Sequence, residues 1–271
     1  MLRRVRVIAN SVPKSGTHML MRLLGLFGIP RIPKWHFDPV WTRERSWLRR
    51  ICMQAPGIGT RVPIGQGVEV SSAWLRWLLR RMPDPSLLPA HVGYSGTLWE
   101  LLRGEGVGAV CIVRDPRDVV VSHASFLMEQ GKKKVTRRPE HRALVALPDH
   151  SARMLALLRG HPGTPSVGER FNEFLGWQRQ PGVCFVRFED LVGPAGGGKE
   201  DVQRGEIERV AAYLGLELGS EALDAVQEAV YGGTKTFRKG VAGGWREEFG
   251  PEHLEAAAEL TPILEQLGYP P

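Results

Sequence analysis

Apolar residues fall along the chain in two alternating patterns. Residues 5–9 form a short unbroken run that predicts a buried strand, and a polar turn over residues 10–15 separates it from Met19, Leu20, Leu23, Leu24 and Phe27, whose spacing marks one helix face. Residues 29–63, with Trp35, Trp41 and Trp47 among prolines and arginines, show no clean period and read as a surface excursion. Ser71 or Ser72 is a candidate N-cap for a helix over 73–81, followed by an apolar run at 87–91 and a helix near 95–103. Residues 108–113, GAVCIV, have the continuous apolar character of a strand buried on both sheet faces. Asp115 then caps a helix with Pro116 at its first position and Asp118 in its first turn. The basic stretch 131–142 reads as a loop. Helices near 151–158 and 167–177, a strand at 183–187, a glycine-rich turn at 193–198, two amphipathic helices, a loop at 232–244 and a final helix over 251–267 complete the chain.

Strands alternating with helices predict an α/β chain, with a central parallel sheet flanked by helices on both faces and right-handed crossovers. Ligands of such sheets bind at the carboxyl edge of the strands. Composition narrows the ligand: 36 lysines and arginines against 29 aspartates and glutamates give a formal charge of +7, which favours anions. Three cysteines, Cys52, Cys111 and Cys184, fit neither a disulfide framework nor a zinc site, and a reducing cytoplasm is the expected location. With no apolar stretch of signal or membrane-span length, the chain is expected to be soluble, without stable membrane insertion.

Three polar clusters carry the candidate chemistry. The first, SVPKSGTHML over 11–20, sets Lys14, Ser15, Gly16 and Thr17 between a strand and the first turn of a helix, where free N–H groups and the helix dipole favour a phosphate. A nucleoside triphosphatase loop places its lysine after the second glycine, beside a magnesium-binding hydroxyl; here the lysine precedes the glycine, which argues against a kinase. The second, VCIVRDPRDVVVSHAS, ends a strand with Arg114 and carries Ser122 about two turns into the next helix, while Asp115, Arg117 and Asp118 read as a solvated ion-pair turn. The third, TFRKGVAGGW, holds Arg238, Lys239 and Gly240, and by itself reads more readily as a surface turn.

PKSGT, IVRDPRDVVVS, FEDL at 188–191 and RKGVAGGW, in that order, closely resemble the sulfotransferases that use 3′-phosphoadenosine 5′-phosphosulfate (PAPS). The resemblance implies a single-domain, P-loop-like three-layer fold over residues 1–271. It assigns Lys14, Ser15, Gly16 and Thr17, with His18 and Met19 continuing the stretch, to the 5′ side of the donor. Arg114, Ser122, Arg238, Lys239 and Gly240 go to the 3′-phosphate, with adenosine 3′,5′-bisphosphate (PAP) as product and no metal. His91, at the end of a predicted strand, takes the place of the catalytic histidine, and Lys14 that of the group neutralising the bridging oxygen; His18, His36 and His123 also lie near. The acceptor is expected to be a small molecule, lipid or glycan hydroxyl, lined by the variable segments, where Trp35, Phe37, Trp41, Trp47 and Tyr94 fall.

The sequence departs from the cytosolic branch of that family at identifiable points. Pro89 and Ala90 replace a lysine two residues before the histidine, Met19 stands where a tryptophan stacks on adenine, and Phe188 replaces a tyrosine. Phe249, Gly250 and Pro251 occupy the stretch of the short dimerisation motif, so the oligomeric state stays open. Glu189 and Asp190 are adjacent and read as a cap or ion pair rather than an opposed catalytic pair. No nucleic-acid partner is expected. A non-catalytic nucleotide-binding relative, and less favourably a nucleotide-dependent kinase, are the rival readings.

Overall fold

The computed structural model describes residues 5–33, 37, 59–62, 68–132, 139–231 and 240–271. Strand β1 (Arg6–Ser11) turns into helix α1 (Thr17–Leu26). An antiparallel ribbon of β2 (Gly59–Val62) and β3 (Val68–Ser71) precedes α2 (Ser72–Arg80), β4 (Ser86–Ala90), α3 (Gly96–Gly104), β5 (Gly108–Val113) and α4 (Pro116–Lys132). Helices α5 (Pro139–Val145), α6 (His150–Arg159) and α7 (Val167–Phe174) lead to β6 (Val183–Arg187). The short α8 (Phe188–Leu191), then α9 (Glu200–Tyr213), α10 (Ser220–Val230), α11 (Trp245–Glu248), α12 (Pro251–Ala257) and α13 (Thr261–Leu267) finish the chain.

The four long-range strands form one parallel sheet in the order β4, β1, β5, β6. Side chains alternate across it, so two cores form. Ile8, Leu88, Ala109, Cys111 and Val113 face a core built with α2, α3, α4, α6 and α7. Val7, Ala9, Val110, Ile112 and Val186 face the other, built with α1, α9 and α10. The result is three layers, helices above and below a sheet whose carboxyl ends share one edge. No helix among the described residues is long and apolar enough to cross a membrane.

Several local expectations change. β1 runs on to Ser11 because its last polar residues are satisfied inside the protein: the Asn10 amide donates to the Val92 carbonyl (2.9 Å) and accepts from the Val92 N–H (3.0 Å). The excursion after α1 does not begin on the surface. Ile29, Ile32 and Phe37 are buried, and the Ile32 and Phe37 amides donate to Leu87 and Pro89, so this segment covers the open edge of β4. His36, Trp35, Trp41 and Trp47 lie outside the described residues. Ser71 rather than Ser72 caps α2, accepting from the Trp74 N–H at 3.4 Å. The basic stretch is helical at both ends, in α4 to Lys132 and in α5 from Pro139, which leaves only 133–138 outside the description. The helix expected over 167–177 closes at Phe174 and continues as a 3₁₀ turn, Leu175–Trp177. The single helix expected over 251–267 is broken by a 3₁₀ turn at Ala258–Leu260, because Pro262 removes an amide and crowds the carbonyl four residues back.

Asn10 is fully buried and bonds both backbone groups of Val92. Asn10→Ala is expected to lower the unfolding free energy by about 1–3 kcal/mol in urea denaturation, the cost of orphaning the Val92 N–H and removing one of the two donors to its carbonyl, which keeps the Trp177 indole. An unchanged midpoint would show that the Val92 segment is held by other means.

Candidate active site

The turn leaving β1 is built around two left-handed residues. Lys14 has φ 76°, unusual for a side chain with a Cβ, and Gly16 has φ 100°. Only glycine fits at position 16, where a Cβ would stand 2.6 Å from Phe188 Cδ2. Gly16 is the N-cap of α1, and its carbonyl accepts from the Met19 and Leu20 amides. The first turn of α1 contains no acidic side chain, so the positive end of the helix faces the turn uncompensated from within its own helix. Ser15 Oγ is buried there with no hydrogen-bond partner among the described residues. Lys14 Nζ lies 4.3 Å from the Phe126 ring centroid, so α4 steadies the ammonium above the turn.

Beside this turn stands His91. The register sets Ala90 opposite Asn10, so His91 emerges level with Ser11. Its Nδ1 is 2.9 Å from the Ser11 carbonyl oxygen and 3.2 Å from Ser11 Oγ, which in turn lies 2.5 Å from Thr17 Oγ1. A carbonyl only accepts, so Nδ1 carries the proton and the lone pair of the neutral ring sits on Nε2. The His91 amide donates to Phe37, and Val92 next to it is clamped by Asn10 and by the Trp177 indole N–H at 3.1 Å.

Across the edge, Arg114 follows β5. Its guanidinium donates to the Val241 carbonyl at 2.7 Å, stands 3.4 Å from Asp118 and stacks 4.5 Å from the Phe188 ring centroid, while Nε is buried with no hydrogen-bond partner among the described residues. Asp118 accepts from the Gly243 and Trp245 amides at 2.8 and 2.9 Å and so fastens the C-terminal loop to the start of α4. Burial pushes the Asp118 carboxyl above the usual range, and Arg114 and the two amides pull the other way. Gly240 accepts from the Tyr231 hydroxyl at 3.4 Å, and the Ala242 amide donates to Gly196. Ser122 lies four residues after Asp118 on the same face of α4. Arg238 and Lys239 lie outside the described residues.

The acidic residues here are not a solvated turn. Asp115, Arg117 and Asp118 are 6%, 4% and 1% exposed. Asp115 accepts from the Arg117 amide and side chain at 2.9–3.0 Å, and Arg117 also donates to the Pro270 carbonyl and lies over Trp245. Glu189 accepts from the Asp115 amide (3.0 Å) and from the Tyr269 hydroxyl (2.6 Å). Tyr269 and Pro270 come from the last residues of the chain, and Glu189 and Trp245 also lie far from the turn in sequence, so nothing local marks the turn as covered.

The sheet edge thus gathers Lys14, Ser15, Gly16, Thr17, His91, Arg114 and Gly240. Met19 instead points from α1 into the core shared with α9 and α10, and His18 is exposed. His123 is buried on α4, its ring edge-on to His141, beside a narrow cleft lined by Val12, Pro13 and Leu157. Asn10, Ser11 and Tyr269 were not singled out from sequence, and the acids of the second cluster were given a surface role. A polar pair closing an apolar strand, as Asn10 and Ser11 do, was the available signal for two of them.

The model of the sulfotransferase domain matches residues 5–266. The chain belongs to the sulfotransferase family. It is 24% identical to the 3-beta-hydroxysteroid sulfotransferase of Cavia porcellus, covering 97% of this chain and 84% of the relative. Against Sulfotransferase 2B1 of Mus musculus the identity is 23%, over 90% of this chain and 66% of the relative. In three dimensions it resembles mouse sulfotransferase SULT7A1, solved in complex with PAP, with a TM-score of 0.60 at 18% identity over 98% of this chain and 85% of that one. At this identity the likeness is one of fold.

Burial raises the Glu189 carboxyl above its ordinary 4.5, against the pull of the Asp115 amide and the Tyr269 hydroxyl. The folded chain therefore holds this proton more tightly than the unfolded chain, and the associated stability is lost as pH rises through the raised value. In this sulfotransferase, Glu189→Gln is expected to gain stability relative to the unsubstituted protein as pH rises from the ordinary carboxylate range toward neutral pH. Thermal midpoints across that range check it; a difference independent of pH would contradict it.

Proposed function

We propose that this sulfotransferase moves the sulfuryl group of PAPS to the hydroxyl of a small-molecule acceptor, with His91 as the base. The observation that carries the reading is the bond from His91 Nδ1 to the Ser11 carbonyl at 2.9 Å, which fixes a tautomer whose Nε2 is basic. The residues present fit the donor, because each side of the edge holds a buried polar atom without a hydrogen-bond partner: Ser15 Oγ at the α1 turn and Arg114 Nε after β5. A nucleotide with phosphates at both 5′ and 3′ positions satisfies two such separated groups.

In this reading Ser15, Gly16 and Thr17 hold the 5′ side with the first amides of α1, and Lys14 offsets charge on the departing oxygen. Arg114, Ser122 and Gly240, with Arg238 and Lys239 of the same loop, hold the 3′-phosphate. PAPS supplies the activated sulfuryl group and a stable leaving group. His91 Nε2 accepts the hydroxyl proton, and the Ser11 carbonyl supports the imidazolium that forms. Met19 belongs to the core, so adenine is left to other side chains. The relative named for a 3-beta-hydroxysteroid supports an alcohol acceptor, with a steroid as the first class to try. The buried free thiols Cys111 and Cys184 support a reducing, cytoplasmic setting.

Release of PAP from PAPS, followed across a panel of alcohols with a chelator present, tests the proposal. His91→Ala is expected to lower kcat by about 10²- to 10⁴-fold while PAP affinity stays within about twofold. Lys14→Ala is expected to weaken PAP binding and turnover together. Full turnover by His91→Ala would remove the histidine from the chemistry, and PAP binding without turnover on any alcohol would mark a non-catalytic relative.

A further inference from the structure

We propose that Tyr269 is a positioning residue for the 3′-phosphate, acting through Glu189 on the peptide that follows Arg114. This rests on the reading above that Arg114 contacts that phosphate. The connection is continuous. The Tyr269 hydroxyl donates to one Glu189 oxygen at 2.6 Å, and the other oxygen accepts from the Asp115 amide at 3.0 Å. That amide belongs to the peptide bond joining Arg114 to Asp115, so Glu189 fixes the orientation of the backbone from which the Arg114 side chain departs.

Two further contacts make the end of the chain a brace rather than a chance neighbour. The Arg117 guanidinium binds both oxygens of Asp115 and donates to the Pro270 carbonyl at 2.6 Å, one residue beyond Tyr269. The Arg187 guanidinium stacks 4.3 Å from the Tyr269 ring centroid, which fixes the ring on its other side. Tyr269 and Asp115 are 5% and 6% exposed, so the donors of both bonds are shielded from water, while Glu189 between them is half-buried. Neither Tyr269 nor Glu189 is placed on the donor: the acid is spent on a backbone amide and a phenol. That leaves the Arg114 guanidinium facing Asp118 and the Val241 carbonyl, with Nε still to be satisfied.

Tyr269→Phe tests this, because it removes one hydroxyl and keeps the ring against Arg187. PAP and adenosine 5′-monophosphate, which lacks the 3′-phosphate, are titrated in parallel against the unsubstituted protein, Tyr269→Phe and Arg114→Ala. Tyr269→Phe is expected to weaken PAP binding about five- to twentyfold and leave the monophosphate within about twofold, a split that general loosening of the fold does not produce. Glu189→Ala, measured the same way, is expected to show the same split at larger size. Parallel weakening of both nucleotides, or no weakening of either, overturns the positioning role. If instead the unsubstituted protein does not prefer PAP, or Arg114→Ala keeps that preference, the assignment of Arg114 to the 3′-phosphate fails first.

Discussion

Parallel pairing of β1 between β4 and β5 decides where every group of the site stands. Ala9 lies opposite Pro89 on one side and Val110 on the other, so β4 and β5 reach the same edge as β1 within a residue or two of one another. Ser11, His91 and Arg114 leave the sheet together for that reason alone. The contact between His91 and the Ser11 carbonyl follows from the register, since slipping β4 by one residue would turn His91 to the opposite face. Burial of both faces of β1 and β5 specifies that register, because any slip exposes Ile8 or Val110 to the wrong layer.

Charge is arranged around the same edge by a division of labour. Asp118 and Glu189 accept backbone N–H groups, and Asp115 is closed onto Arg117. Burying these acids is unfavourable, as the raised Asp118 and Glu189 carboxyls record, and the hydrogen bonds offset it. What results is rigidity: the β5 loop, α4, the loop at residues 240–244 and the chain end are tied into one body. With the acids tied inside, Lys14 and Arg114 border the edge, and the helix dipole of α1 adds to them.

The layers and the strands were legible because their signals are local. GAVCIV at β5 and VCFVR at β6 match the strands residue for residue, and Asp115 before Pro116 marks the start of α4. The strand, turn and helix around Lys14 to Thr17 were legible for the same reason, as those residues are consecutive. Contacts between distant residues were not legible. The Asn10 clamp on Val92, the bond from the Phe37 amide to Pro89 of β4 and the reach of Tyr269 back to Glu189 span 82, 52 and 80 positions, and nothing near either partner encodes the other. RDPRD looked solvated because charged residues in a turn usually are; Trp245, Tyr269 and Pro270 make it an interior.

On the proposed reading, one sheet edge holds two separate anion sites suited to a bisphosphate rather than to a triphosphate with its metal. Isothermal titration of the purified chain with PAP, beside ATP with magnesium, tests it most directly. Saturable binding of one PAP per chain is expected, at least about tenfold tighter than ATP with magnesium. Absence of PAP binding, or a preference for ATP with magnesium, would contradict it.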